Sequence, residues 1–182
     1  MRRSSLRRSL AFDLPEMKLR LATEADLPQL VAISEAAGAA AHWSRQQWLD
    51  IFSTEIPARI AWIAEVERAD GQVCASGFLV AQSGTASAGA GQDWEGADWE
   101  LENIAVLPQF RRQRVGRELL SALLAHAAQR RAKRILLEVR ESNEAAICLY
   151  RASGFQLLGR RRVYYRNPAE DALILVHALS SL

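Results

Sequence analysis

The sequence of 182 residues contains few of the side chains that bind metals or form crosslinks. It has two cysteines, Cys74 and Cys148, three histidines, and no C-x-x-C pair. Zinc and haem sites need cysteine or histidine at short, fixed spacings, so we expect no metal site. Two isolated thiols are typical of a protein in a reducing compartment, and we therefore expect a cytoplasmic location.

Long apolar runs are also missing. No stretch of about 18 apolar residues occurs, so the sequence predicts no membrane span and no membrane partner. A secretory signal is not expected in residues 1–16, because Asp13 cuts off the apolar segment 10–12. We predict that residues 1–16 are a disordered basic extension and that residues 17–182 form one domain, since this length suffices for a single core.

The chain has little excess of either charge. Of its 23 basic and 21 acidic residues, four arginines and two acids lie in residues 1–16, which leaves 19 of each sign elsewhere. A neutral body gives no general argument for nucleic-acid binding. Basic clusters at 111–117, 130–134 and 160–162 could form a nucleic-acid patch, but stacking aromatic residues do not alternate with them. We therefore expect no nucleic-acid partner.

Hydrophobic periodicity predicts seven strands and four helices. Apolar runs bounded by turn residues predict strands at 17–23, 59–67, 72–82, 98–107, 134–139, 155–165 and 171–179. Capping residues and apolar positions three or four residues apart predict helices from Thr23 to near Gly38, from Ser44 onward, from Val115 to about Arg131, and from Asn143 to Gly154.

The order of these elements predicts an α/β fold. Turn residues at 68–71 join the second and third strands into a hairpin. The fourth strand, the helix from Val115 and the fifth strand form a crossover, so these two strands should be parallel. The sequence therefore predicts a mixed sheet with helices on both faces. The segment 83–97 is rich in small and polar residues, and we interpret it as a flexible loop.

A basic turn lies between the fourth strand and the helix that begins at Val115. The first amides of a helix are unpaired, and its dipole favours an anion at this end. Four arginines between 111 and 117 add positive charge. A solvated basic turn would have the same composition, so charge alone leaves both a phosphate site and a solvent-exposed turn open.

Two polar side chains stand out in the segment 135–155. Glu138 lies among apolar residues near the end of the fifth strand, where open sheets hold ligands. Tyr150 lies on the following helix and shares a face with Ile147. From spacing alone, Glu138 could be a solvated strand end or the partner of Arg140 or another arginine, and Tyr150 could be a core residue.

Three blocks of the chain, in order, resemble one known family. LENIAVLPQFRRQRVGRELL (101–120) resembles the acetyl-CoA motif of the GNAT superfamily of N-acetyltransferases. LEVRESNEAAICLYRASGF (137–155), with RRRVYY (160–165) after it, resembles the RimI-type branch, whose members acetylate protein N-termini. The resemblance covers roughly 17–179. It implies a GNAT-type mixed, mostly antiparallel sheet in which the fourth and fifth strands form a central parallel pair that splays apart, with helices on both faces.

The resemblance also implies acetyl-CoA as the acetyl-donor cosubstrate, bound in the cleft between the splayed strands, with no metal. Backbone groups of Ile104, Ala105 and Val106 would pair with its pantetheine arm. Asn143 would hydrogen-bond the cosubstrate where the fifth strand ends. The turn expected to bind its pyrophosphate comprises Arg111, Arg112, Gln113, Arg114, Val115, Gly116 and Arg117.

The family pattern gives Glu138 and Tyr150 catalytic roles. Glu138 would accept a proton from the attacking amine, and Tyr150 would donate one to the departing thiolate. An N-terminal α-amine has a pKa of about 8, against about 10.4 for lysine, so a carboxylate is an adequate base for it. The backbone N–H of Val106 would stabilise the oxyanion.

Three further side chains match positions beside the acceptor in the family. These are Trp43, Tyr164 and Tyr165, each of which could also be an ordinary core aromatic residue. Glu102, and with it Glu100, could face the amine or could be a simple edge charge.

One position departs from the family pattern. Where the family usually has the first glycine of the turn, this sequence has Arg114, while Gly116 is kept. Glycine at that position would allow a positive φ and a close approach of the backbone to phosphate. Either the turn becomes helical earlier, so that Arg114 needs no positive φ, or the affinity for the cofactor is reduced. We expect the first, since the Arg114 side chain could itself reach a phosphate.

The leading hypothesis is an acetyl-CoA-dependent N-acetyltransferase that modifies the N-terminal α-amine of a protein. The known acceptor of the branch is the N-terminal alanine of a small-subunit ribosomal protein, so a ribosomal protein is the expected partner. Two alternatives stay open: a GNAT enzyme acting on a lysine side chain or a small-molecule amine, and a non-catalytic acetyl-CoA-binding module. RNA binding through the basic turns is a third and weaker alternative.

Overall fold

The computed structural model describes residues 17–38, 43–53, 58–68, 70–84 and 97–179. The predicted extension 1–16 lies outside these residues, as does most of the predicted loop 83–97. Within the described ranges, no helix is long and apolar enough to span a membrane.

The structure contains the seven predicted strands and the four predicted helices in the predicted order. The strands are β1 (Met17–Leu21), β2 (Arg59–Glu67), β3 (Val73–Ser83), β4 (Trp99–Val106), β5 (Arg134–Arg140), β6 (Gln156–Arg166) and β7 (Ala169–Ala178). The helices are α1 (Leu27–Ala37), α2 (Arg45–Leu49), α3 (Val115–Gln129) and α4 (Glu144–Ala152).

The start of α2 and the ends of α1 and α4 lie at the residues that capping chemistry predicted. The hydroxyl of Ser44 accepts from the backbone N–H of Gln47, and the Gln47 side chain accepts from the Ser44 N–H, which together form a capping box before α2. Gly38 follows α1 with a φ of 68°, and Gly154 follows α4 with a φ of 87°. Glycine adopts these left-handed conformations without steric cost, so both helices stop there.

A single seven-stranded sheet has the order β1-β2-β3-β4-β5-β7-β6. The pair β4–β5 is parallel, and the other five pairs are antiparallel. This confirms the mixed, mostly antiparallel sheet with one central parallel pair. The crossover through α3 is what makes β4 and β5 run in the same direction.

Helices pack on both faces of the sheet, as predicted. On one face, α3 and α4 bury a large apolar cluster, and Leu119 and Leu123 of α3 are fully inaccessible. On the other face, α1 and α2 pack against β3, where Leu30 and Trp48 meet Phe78. Each sheet face is thereby covered with apolar side chains, which is the main source of stability for such a layered fold.

The expectation for Arg114 is wrong. Arg114 precedes the first residue of α3 with a φ of 68°, and Arg112 in the same turn has a φ of 62°. The chain therefore takes the left-handed conformation that glycine would favour, but with arginine side chains in its place. The turn extends through Arg114, so the helix begins only at Val115.

An ion-pair network fixes the start of α1 to the edge of the sheet. Both carboxylate oxygens of Asp26 accept from the Arg20 guanidinium, at 2.7 and 2.8 Å, and one of them also accepts from the Thr23 backbone N–H. Arg20 donates in addition to Glu65 of β2. These hydrogen bonds, chiefly those from Arg20, hold the pKa of the buried Asp26 carboxyl well below its ordinary value.

Substitution Asp26→Asn should lower the free energy of unfolding at pH 7 by about 2 kcal/mol, because charge-assisted hydrogen bonds to Arg20 are lost. The folded-state pKa of Asp26 lies below the unfolded value, so the unfolded chain binds more protons in acid. The contribution of Asp26 is therefore complete above about pH 4 and is lost as the pH falls further.

Urea unfolding of the wild type and the variant between pH 3 and pH 8 measures this difference. The free energy of unfolding of the variant should be lower than that of the wild type near neutral pH. The difference should become smaller as the pH falls below about 4. Glu24→Gln removes the same charge from an exposed neighbour and serves as the control. A constant difference across the whole pH range would contradict the role given to Asp26.

Substitution Arg114→Gly should raise the free energy of unfolding by about 0.5–1 kcal/mol, because glycine removes the steric cost of the left-handed conformation. Arg117→Gly is the matched control within α3, and it should lower stability by about 1 kcal/mol. Chemical denaturation of both variants tests the pair. A loss of stability in Arg114→Gly as large as that in Arg117→Gly would show that Arg114 has no strain to relieve.

Candidate active site

The candidate site lies where β4 and β5 separate. The two strands pair only between 99–101 and 135–137, although both continue beyond these residues. In the described part of the sheet, residues 102–106 and 138–140 therefore have no strand partner across this gap. A cavity of about 730 Å³ opens there. The predicted splayed pair is thus present, and it creates the space for a ligand.

Many of the residues identified from the sequence line this one cavity. These nine residues are Trp43, Glu100, Glu102, Ile104, Glu138, Asn143, Tyr150, Tyr164 and Tyr165. They come from five parts of the chain, so the fold brings together side chains that are far apart in sequence. The residues of the predicted pyrophosphate turn do not line it and lie beyond the end of β4.

A β-bulge in β4 determines which side chains face the cavity. Val80 of β3 pairs with Asn103, but the next residue of β3 pairs with Leu101, so Glu102 is an extra residue on β4. Leu101 packs into the core beneath α3, whereas Ala105 packs into the core beneath α1. The bulge therefore reverses the alternation of side chains along the strand, and it turns Glu102 and Asn103 toward the cavity.

A second irregularity shapes β6. Arg161 pairs with Ala172 and Tyr165 pairs with Glu170, so β6 contains two more residues than β7 over this interval. Val163 lies within it with a φ of 49°, which is rare for a β-branched residue. As a result, the consecutive Tyr164 and Tyr165 both line the cavity, with their ring centroids 5.1 Å apart.

Glu138 projects from β5 into the cavity and has two partners from β6. Its Oε1 atom lies 2.9 Å from Nε of Arg161. The hydroxyl of Tyr164 donates to the carboxylate, and this bond, together with burial, raises the pKa of Tyr164 to about 12. Glu138 therefore forms one of the salt bridges that the sequence analysis considered, and its partner is Arg161. Arg140 instead pairs with Glu170 and lies over the ring of Tyr165.

Tyr150 lies on α4 and lines the same cavity. Its side chain is buried, and its ring packs against Phe155 at a centroid distance of 5.8 Å. Burial, and to a lesser degree the neighbouring Tyr165, raises the pKa of Tyr150 above its ordinary value. The hydroxyl therefore stays protonated at neutral pH, which is the form that can donate a proton or a hydrogen bond. Tyr150 is at once a core residue and a cavity residue.

Asn143 caps α4. Its Oδ1 atom accepts from the backbone N–H of Ala146 at 3.2 Å. The oxygen thus serves the helix, and the NH₂ group is the part of the side chain that can donate to a ligand without breaking the cap.

The turn before α3 is partly occupied with structural contacts. The Arg111 guanidinium donates to the carbonyl oxygens of Ala37 and Val106, at 2.6 and 3.3 Å, and so ties the end of α1 to the end of β4. Gly116 lies close to α4, since a Cβ atom there would be 3.0 Å from Leu149. A larger residue at 116 would therefore need the end of the Leu149 side chain to shift, so this close packing favours glycine. Arg112, Arg114 and Arg117 remain exposed around the first amides of α3.

The acidic residues of β4 are not isolated. Glu102 forms a bidentate ion pair with Arg59, with donor–acceptor distances of 2.7 and 3.0 Å. Glu100 accepts from the side chain of Gln82. The charge of Glu102 is therefore balanced from within the protein, and its interpretation as a second base is weakened.

Two residues of the site were missed by the sequence analysis. Arg161 was noted only as part of a basic cluster, because nothing in the sequence indicates that it reaches Glu138. Asn103 was treated as an ordinary strand residue, although it is 3% exposed and lines the cavity. A buried amide in an apolar strand was the available signal for Asn103.

Two bacterial acetyltransferases are similar to parts of the chain. N-alpha-acetyltransferase RimI of Mycobacterium tuberculosis is 41% identical over 96 residues, which cover 53% of this chain and 57% of that protein. The ribosomal protein bS18-alanine N-acetyltransferase of Escherichia coli is 44% identical over 82 residues, which cover 44% of this chain and 55% of that protein. The chain spans little more than half the length of these relatives.

Solved structures and a family model extend the likeness to most of the chain. The crystal structure of the ribosomal-protein-S18-alanine N-acetyltransferase from Escherichia coli matches with a TM-score of 0.71 at 28% identity, over 91% of this chain and 95% of that one. Arabidopsis thaliana NAA60 in complex with a bisubstrate analogue matches in fold, with a TM-score of 0.77 at 18% identity, over 92% of this chain and 100% of that one. The model of the acetyltransferase (GNAT) family matches residues 34–155. With its splayed parallel strand pair, the chain belongs to the GNAT family of acetyltransferases.

Proposed function

We propose that this protein transfers an acetyl group from acetyl-CoA to the N-terminal α-amine of a protein. The observation that carries the proposal is the common cavity of Glu138 and Tyr150, at the gap between β4 and β5. A ribosomal protein with an N-terminal alanine is the first candidate acceptor, because the relatives include enzymes named for that substrate. Action in the cytoplasm is part of the same proposal.

The gap fits the acetyl donor. An extended chain of amides can pair with the open edge of β4, where Ile104, Ala105 and Val106 have no strand partner across the gap. The first amides of α3, from Val115 to Arg117, can bind a pyrophosphate, since they are unpaired within the helix and lie at its positive end. Arg112 and Arg114 are exposed in the turn that leads into α3 and add positive charge there, with Gln113 between them. When bound, acetyl-CoA supplies the activated acyl thioester.

Glu138 serves as the proton acceptor. The neutral amine attacks the carbonyl carbon of the thioester, so that a C–N bond forms and the C–S bond breaks. The amine proton passes to the Glu138 carboxylate, directly or through one water, and from there to solvent. An α-amine with a pKa of about 8 is deprotonated more easily than a lysine amine, which suits a carboxylate base. The backbone N–H of Val106 stabilises the oxyanion.

Tyr150 assists the departure of the thiolate. Its pKa lies above 10, whereas a thiol has a pKa of about 8.5, so full proton transfer to a finished thiolate is uphill. A hydrogen bond that strengthens as negative charge develops on sulfur avoids this cost. Any proton that Tyr150 gives to the sulfur is replaced by one from solvent. The products are the free thiol and the acetylated amine.

The acceptor enters from the other side of the sheet. Trp43, Tyr164 and Tyr165 form apolar walls of the cavity, with Trp43 held against Trp48 at a centroid distance of 5.0 Å. Glu102, whose charge is balanced by Arg59, lines the same cavity as a polar group. Such walls suit a short, extended peptide N-terminus, whose backbone needs little width.

Glu138→Gln and Tyr150→Phe should each lower kcat for acetylation of an N-terminal peptide by about 100-fold or more, because general acid and base groups contribute factors of this order. The assay uses acetyl-CoA with two peptides and mass spectrometry. One peptide has a free N-terminal alanine and no lysine, and the other has a blocked N-terminus and one internal lysine.

Two controls make the assay decisive. Glu100→Gln, which removes a carboxylate whose partner is Gln82, should reduce the rate far less than Glu138→Gln. Acetyl-CoA binding, measured by calorimetry, should persist in Glu138→Gln. Modification of the lysine peptide alone would contradict the proposed acceptor and favour a lysine acetyltransferase. Binding of acetyl-CoA without turnover on either peptide would favour a non-catalytic binding module.

A further inference from the structure

Asn103 is a buried amide whose hydrogen bonds are not satisfied within the protein. Its side chain is 3% exposed, and neither Oδ1 nor Nδ2 has a hydrogen-bond partner among the described residues. A buried amide left unpaired costs about 1–3 kcal/mol. A fold that carries this cost needs a reason for it, and an absent ligand is one such reason.

The position of Asn103 indicates which ligand would satisfy it. The bulge in β4 turns Asn103 into the cavity that also contains Glu138. The two carboxylates nearby are already paired within the protein, because Glu102 binds Arg59 and Glu138 binds Arg161. Asn103 thus offers one donor and one acceptor to whatever enters beside the base.

We propose that Asn103 holds the first residue of the acceptor and selects α-amines. Its Oδ1 accepts an N–H from the terminal amine, and its Nδ2 donates to the carbonyl oxygen of the same residue. The inference rests on the proposed function. Accepting an N–H fixes the rotation of the amine, so the nitrogen lone pair can point at the acetyl carbon while another N–H faces Glu138.

The donor–acceptor pair of an amide matches an α-amine but not a lysine ε-amine. In an N-terminal residue, the nitrogen and the carbonyl group are attached to the same carbon, so one planar amide can bond to both. The ε-amine of lysine has no carbonyl group near it. A lysine acceptor would leave Nδ2 buried and unpaired, and sites built to hydrogen-bond a group strongly reject ligands that lack it.

Asn103→Leu should abolish this selectivity without lowering stability. Leucine has a similar size and removes both unpaired polar atoms, so the melting temperature should be unchanged or higher. The probes are two lysine-free peptides that differ only in their first residue, alanine or its isomer β-alanine. In β-alanine the amine is one carbon further from the carbonyl group, which breaks the two-point contact.

The measured quantity is the ratio of kcat/KM for the alanine peptide to that for the β-alanine peptide. Comparing this ratio between variants cancels the intrinsic reactivity of the two amines. The ratio should fall by about 10-fold or more in Asn103→Leu, and also in Asn103→Ala, which covers the case in which leucine does not fit. Ser76→Ala removes a buried hydroxyl that donates to the Ala64 carbonyl, and it should lower stability but leave the ratio unchanged.

Three results would overturn the inference. A ratio within about twofold of the wild type in both Asn103 variants would show that Asn103 does not select between the two acceptors. A lower melting temperature, with an equal loss of kcat/KM on both peptides, would show instead that Asn103 is a structural residue that holds an internal water. Absence of wild-type turnover on every free N-terminus, with turnover on lysine, would contradict the proposed function itself and this inference with it.

Discussion

The separation of β4 from β5 is the constraint on which the rest of the structure depends. Parallel pairing is kept for three residue pairs and then lost, yet each strand keeps its other neighbour, β3 or β7. The last paired residues, Leu101 and Leu137, are buried beneath α3, so the sheet is held together where the gap begins. Backbone groups beyond that point face a cavity, where a ligand with an extended backbone of its own can pair with them.

Irregular strands place the polar side chains around that gap. The bulge in β4 brings Glu102 and Asn103 to the cavity, and the irregularity in β6 does the same for Tyr164 and Tyr165. In a regular strand, successive side chains would point to opposite faces of the sheet. Val163 shows that this geometry has a cost, since a β-branched residue adopts a positive φ there. The backbone N–H of Val163 donates to Asp171, which offsets part of the cost. Strain next to a cavity is typical of functional sites.

Most helices and strands could be predicted because their signals come from residues that are close together in sequence. Contacts between residues far apart in sequence could not be predicted in this way. Ser44 with Gln47 predicted the start of α2 because a capping box involves neighbours in sequence. Alternation predicted β4 as a strand, but no residue type marks the extra position, so Asn103 was assigned no role. The partner of Glu138 was open for the same reason, because Arg161 reaches it only through the pairing of β5, β7 and β6. At Arg114, the glycine of the family pattern indicates the positive φ that the structure has. Our expectation was wrong because we inferred from the arginine that the positive φ would be absent.

The ion pair between Glu138 and Arg161 is compatible with a base that must accept a proton from an incoming amine. The Arg161 side chain is 57% exposed, and ion pairs at such positions contribute only about 0–1 kcal/mol. An amine cation can therefore replace the guanidinium at the carboxylate at little cost, and Arg161 can move into solvent. Before the acceptor binds, Arg161 compensates the charge of a carboxylate that is largely buried. Glu138 thus never stands in the cavity as an uncompensated charge, which would cost far more than the exchange.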